Sequence, residues 1–160
     1  MIRIDVLGTP APKGSARAFV NKRTGRAILA PGGAKSTEIK IKNWNVAVRE
    51  AALDALYLQP TPFFCDKPLA VAIVFRMRRP ASHRHKKTGQ LRSDAPRMCA
   101  TAPDVDKLAR CTVDPLHDLV FDNDSRIVEL LVRKEYAAPG REGATITVDM
   151  FADTVRGEQG

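Results

Sequence analysis

The chain has 160 residues, 44% of them hydrophobic, which is enough for one domain with its own core. It holds no apolar run near the roughly 20 residues that a membrane-spanning helix needs, and its three cysteines, Cys65, Cys99 and Cys111, fit reduced thiols in a cytoplasm, not a disulfide framework. The net charge of +8 is uneven: +6 over residues 1–35, 0 over 36–65, +7 over 66–100 and −5 over 101–160. Two basic blocks beside an acidic one suggest a phosphate-rich partner and a localised metal site.

Ile2, Ile4 and Val6 alternate with Arg3 and Asp5, which predicts a strand over Ile2–Leu7. This N-terminus lacks the basic start and long apolar block of a signal peptide. The prolines and glycines of "GTPAPKGSAR" exclude regular structure. Ala18–Val20 and Ala27–Leu29 flank the turn "NKRTG" and read as a β-hairpin, after which "PGG" breaks the chain. Ile41, Trp44, Val48, Ala51, Ala52 and Ala55 recur at three- and four-residue steps, so a helix is expected over about 37–57. "QPTPFFCDKP" is a loop. Phe63 and Phe64 within it read as core, with a wedge into a DNA junction as the other possibility. Leu69–Met77 is apolar and rich in β-branched residues, as in a central strand. Residues 80–100 have no periodicity and many cations, so they are expected to form a long, flexible basic loop.

Val105, Leu108, Ala109 and Thr112 predict a short helix that starts near Asp104 and ends or kinks at Pro115. Ile127–Val132 and Ala144–Phe151 read as strands joined through "APGREG" as a hairpin turn, and the tail 154–160 as frayed. No internal repeat is evident. The order implies a single α+β domain over 1–160: a small mixed β-sheet with two main helices packed on it, an N-terminal β-hairpin and a long basic loop.

The segment "PDVDKLARCTVDPLHDLVFDND" holds six aspartates. Asp104 and Asp106 stand at a helix entrance, where residues two apart can share a side and the field of the helix N-terminus favours carboxylates. A tight return from helix to strand would bring Asp124 back beside them. Three gathered carboxylates repel unless a cation neutralises them, and hard oxygen donors suit Mg²⁺ or Mn²⁺. The same residues allow a plainer reading: Asp104 as a helix cap, Asp122-Asn123-Asp124 as a turn, Asp114 and Asp118 as solvated charges.

"PDVDKLAR…VD…VFDNDSRIVELLVRK" resembles the signature of RusA-type Holliday junction resolvases: an Asp-x-Asp entering a helix, an Asp one helix later, then a paired acidic motif leading into a strand that ends in basic residues. "GTPAPKGSAR" is similar to the opening of the same family, and the likeness runs in order from about residue 4 to residue 151. It implies a small, homodimeric, Mg²⁺-dependent endonuclease of the cytoplasm of a bacterial or phage-infected cell, with Mn²⁺ as a possible substitute. Its substrate would be branched DNA, the four-way junction, nicked symmetrically. By this resemblance Asp104, Asp106 and Asp124 are metal ligands and catalytic, and Asp114 is structural. Two positions depart from the family. Lys107 stands where Asn is usual, and Arg110 where an essential Lys is usual. Arg keeps the charge and can grip phosphate in a bidentate manner, but it is not a proton donor as Lys is.

Arg76, Arg78, Arg79, Arg84, Lys86, Lys87, Arg92 and Arg97 line a strand end and the long loop; Lys13, Arg17, Lys22, Arg23 and Arg26 form the other basic block. Together with Lys107 they are candidate DNA contacts, Lys13 and Arg17 near the metal and the hairpin tip along the duplex. His83, His85, Cys99 and Cys111 fit no common zinc spacing. The alternative to a junction-resolving nuclease is a non-catalytic junction or duplex binder on the same fold. An RNA-binding module lacks the aromatic-rich strand such folds use.

Overall fold

The computed structural model describes residues 1–14, 17–21, 23–30, 35–59, 64 and 66–151, with 17–19 and 27–30 described by their backbone. Lys22, Phe63, Cys65 and the tail 154–160 lie outside the described residues. The elements are β1 (Ile2–Leu7), β2 (Arg17–Val20), β3 (Ala27–Ala30), α1 (Lys35–Leu58), β4 (Leu69–Met77), α2 (Val105–Val113), β5 (Ile127–Tyr136) and β6 (Gly143–Met150). They form an α+β fold: a mixed four-stranded sheet in the order β1-β6-β4-β5, a separate β2–β3 hairpin, and the two helices.

Periodicity decides which face is buried. In β1, Ile2, Ile4 and Val6 are inaccessible while their neighbours are exposed, and in β4 Leu69, Val71, Ile73, Phe75 and Met77 all point into the core. Trp44, Val48 and Ala52 of α1 close that core from above, with Ile41, Ala51 and Ala55 at its margin. The Trp44 indole N–H donates to Thr112 Oγ1 at 3.0 Å, and that hydroxyl donates to Leu108 O at 2.9 Å, so one buried chain of hydrogen bonds fastens α1 to α2. Pro115 acts as expected: α2 stops at Val113 and a single 3₁₀ turn, Asp114–Leu116, follows with Pro115 and Leu116 buried.

The last two strands depart from the sequence reading. "APGREG" does not join hydrogen-bonded neighbours, because β4 lies between β5 and β6, parallel to the first and antiparallel to the second. The reason is burial. β4 is the most continuously apolar strand, so it takes the centre, and the chain crosses its end, where Ala137 N–H donates to Met77 O at 2.8 Å. β6 is pressed against β1 so closely that a Cβ on Gly143, at φ 150°, would lie 1.9 Å from Val6 O. β5 runs to Tyr136, four residues beyond the expected end, since its last turn of strand gains a second partner in residues 97–99.

Candidate metal and nucleic-acid site

Asp104 occupies the residue before α2 in extended conformation (φ −64°, ψ 140°), and its side chain makes no capping bond. Its carboxylate instead meets Lys107 Nζ at 2.7 Å. The hydrogen bond from Lys107, then the lysine's charge, hold the Asp104 carboxyl below its usual value, and the same contact raises the Lys107 ammonium. Asp106, in the first turn, is exposed and makes no hydrogen bond or ion pair among the described residues. Arg110 follows four residues later, so it shares a helix face with Asp106; it too is exposed, with no ion pair among the described residues.

Two lysines position this helix end. Lys13 N–H donates to Lys107 O at 3.0 Å and its Nζ pairs with Asp114, which straps the segment after β1 along α2. Lys134 of β5 donates from Nζ to Thr101 O at 2.7 Å and to Pro103 O at 2.6 Å, pinning the chain as it enters the helix. The motif resemblance marks Lys134 only as a basic strand end. The signal that singles it out is register: it lies beside Phe75, on the core side of β5.

Asp124 is elsewhere. It begins a 3₁₀ turn, Asp124–Arg126, whose entry is capped by Asn123 Oδ1 accepting from Ser125 N–H at 2.8 Å. Asp122, which Arg126 holds below the usual carboxylate range, pairs with that arginine at 3.2 Å. Asp124 itself is exposed and has no hydrogen bond or ion pair among the described residues. It precedes the first residue of β5, whereas Lys134, bonded to the approach to Asp104, is near the last. At roughly 3.3 Å per residue, about 23 Å of strand separates Ile127 from Lys134. The expected return of Asp124 to the side of Asp104 and Asp106 therefore does not occur in this structure. Among the described residues no three His, Cys, Asp or Glu side chains stand close enough to hold a metal ion, and the histidine–cysteine set forms no cluster either.

The basic loop after β4 has definite contacts. Arg79 lies over the Tyr136 ring at 4.8 Å and donates to Pro96 O at 2.8 Å. Arg84 donates to Gly89 O at 2.9 Å across the turn that carries Lys86 and Lys87. Arg84, His85, Lys86 and Arg92 line a hollow of about 780 Å³, with Asp94 paired to Arg92 on its rim. Arg97 reaches Glu135 at 3.6 Å. Arg78, Arg23 and Arg26 are exposed. Arg76 is engaged internally: its guanidinium bonds Arg141 O, Thr145 Oγ1 and Val6 O, which ties three segments of the sheet together. The side chain of Arg17 lies outside the description, although its strand pairs with Ala30. Phe64 is buried, as the core reading expects.

Two comparisons bear on this geometry. The family model described as endodeoxyribonuclease RusA matches residues 10–149. No curated protein matches the chain.

Proposed function

Because the chain belongs to the RusA family of endodeoxyribonucleases, we propose that it is a Mg²⁺- or Mn²⁺-dependent nuclease that resolves four-way DNA junctions by paired, symmetric nicks in the cytoplasm of a bacterial or phage-infected cell. The observation that carries the reading is Asp106. In a segment where Asp104, Asp114 and Asp122 each pair with a basic side chain, this carboxylate is exposed and has no ion pair among the described residues, beside Lys107 and on the face of Arg110. A helix entrance with two exposed carboxylates, Asp104 and Asp106, fits a hard divalent ion, which is commonly bound by one or two carboxylates plus phosphate oxygens.

When bound, the ion would supply Lewis-acid stabilisation of the phosphodiester and a more acidic water. The protein residues do the rest. Asp104 and Asp106 offer oxygen donors at the entrance to α2. Arg110 stabilises the charge that builds on the phosphoryl oxygens, and Lys13 and Lys107 add to the positive field there. A guanidinium does not serve as a proton donor as a lysine can, so the proton that the leaving 3′ oxygen needs comes from solvent, and the products carry 5′-phosphate and 3′-hydroxyl ends. The basic loop and the hairpin follow the DNA arms.

The test is an end-labelled four-way junction incubated with the protein and Mg²⁺, Mn²⁺ or chelator: symmetric nicks are expected with either metal and none with chelator. Arg110 in place of lysine favours the second reading, a non-catalytic junction binder, and retention of the junction with no nick under any metal would establish it. Either way the loop should act through phosphates. Replacing Arg84, Lys86 and Lys87 with alanine should weaken binding across sequences and lower the slope of log K against log salt by about 0.9 for each lost phosphate contact. An unchanged slope would remove the loop from the interface.

A further inference from the structure

Asp104 stands where a helix-capping aspartate would, and it does not cap. An Asp at this place commonly accepts from the backbone N–H of the second or third helical residue. Here its Oδ2 instead takes the Lys107 ammonium at 2.7 Å. The difference matters for a metal ligand. A backbone N–H cannot leave, whereas an ammonium at the end of a flexible four-carbon stem can. Both side chains are open to solvent, 62% exposed for Asp104 and 40% for Lys107, so charge and not packing holds the pair.

The neighbouring cations are placed differently. Among the described residues, Lys13 is paired with Asp114, Lys134 is fixed between Thr101 O and Pro103 O, and Arg110 has no ion pair to give up. Lys107 alone of these holds a carboxylate of the candidate metal site. Its backbone is set by the first turn of α2 and by the bond from Lys13 N–H to its carbonyl, so an exchange of partners moves the side chain and leaves the helix in place.

We propose that Lys107 is an exchangeable counter-ion: in the free protein it neutralises Asp104, and when DNA and a divalent ion arrive it yields that carboxylate to the ion and moves onto a phosphate. The inference rests on the nuclease reading above and adds a coupling to it. Without DNA, an ion that approaches Asp104 meets the ammonium on the same carboxylate, and the repulsion weakens its binding. A phosphate at the site offers the ammonium a second anion, through charge-assisted hydrogen bonds of the kind it leaves. The ion therefore binds more tightly with DNA than without it, and linkage requires the ion to tighten DNA binding by the same factor. Since the contact is exposed, the share of Lys107 in that factor is modest, about threefold to fivefold. The result is selective: the ion is retained where a phosphate is present to be cut.

The test compares Lys107→Gln with the wild type. Mn²⁺ is titrated into each protein without DNA, the unbound ion is read by paramagnetic resonance, and only the binding that Asp104→Asn abolishes is counted. Lys107→Gln should hold Mn²⁺ about threefold to fivefold more tightly than the wild type. Retention of a four-way junction is then measured in chelator and in saturating Ca²⁺, which takes the same oxygen donors. The gain in junction affinity on adding the ion should shrink by about the same factor in Lys107→Gln. Lys107→Arg keeps the charge and the reach to Asp104, so it should follow the wild type in both measurements. A residue that only shaped the helix end would leave Mn²⁺ binding unchanged or weaken it when replaced. Either result, in a wild type that binds Mn²⁺, overturns the exchange whatever the nicking assay shows. A wild type that binds no Mn²⁺ and never nicks removes the nuclease reading, and the exchange with it.

Discussion

Asp106→Asn is expected to lower metal-dependent nicking by at least about 10³-fold, about 4 kcal/mol of transition-state stabilisation, while the junction is still bound. The substitution preserves shape. It removes one negative charge and turns one of two acceptor oxygens into an amide donor, which a hard cation does not accept. Since Asp106 is exposed and makes no hydrogen bond or ion pair among the described residues, the fold loses only its favourable place in the field of the helix N-terminus, about 0.3–1 kcal/mol. Binding should hold or tighten, because one repulsion against phosphate disappears. Parallel measurement of junction retention, thermal midpoint and nicking rate separates these effects. Nicking at the wild-type rate would remove Asp106 from the chemistry. Asp104→Asn makes a useful contrast, because it also releases Lys107 from its pair, so its binding should change more than that of Asp106→Asn.

What was legible in the sequence follows from the range of the interaction that decides it. Ile2–Leu7 and Leu69–Met77 match the strands residue for residue, and the Trp44–Val48–Ala52 face emerges where its spacing places it, because burial of alternate or every third and fourth residue is written locally. Pro115 ends α2 for an equally local reason, a missing backbone donor. The order of β5 and β6 was not legible. Their short connection favours a hairpin, but the choice lies with β4, whose paired residues stand 58 to 81 positions earlier and which claims the position between them. Lys134 was missed in the same way, since its carbonyl partners come from residues 101 and 103. For Asp124, the family motif names the residue and the strand geometry sets where it goes.

Trp44→Ala tests how the helix that carries Asp104 and Asp106 is held. The indole is almost wholly buried, its N–H is bonded to Thr112, and its ring lies within 3.9 Å of where a side chain on Gly8 would stand. It therefore touches α1, α2 and the segment after β1 that continues to Lys13. Truncation leaves a large cavity at that junction and should cost about 3–5 kcal/mol, a large share of the roughly 5–15 kcal/mol that holds a domain together. Thr112→Val, of nearly the same shape, leaves the ring in place and strands the indole N–H, so about 1–3 kcal/mol is expected. Urea unfolding at constant slope measures both. If Trp44 only supplies cohesion, nicking per folded molecule at low temperature stays at the wild-type level in both variants. If it also fixes the entry of α2, Trp44→Ala loses rate even where it is fully folded, while Thr112→Val, which keeps the ring wedged between the helices, does not. A cost below about 1 kcal/mol for Trp44→Ala would mean that the core described around it is not the one that stabilises this protein.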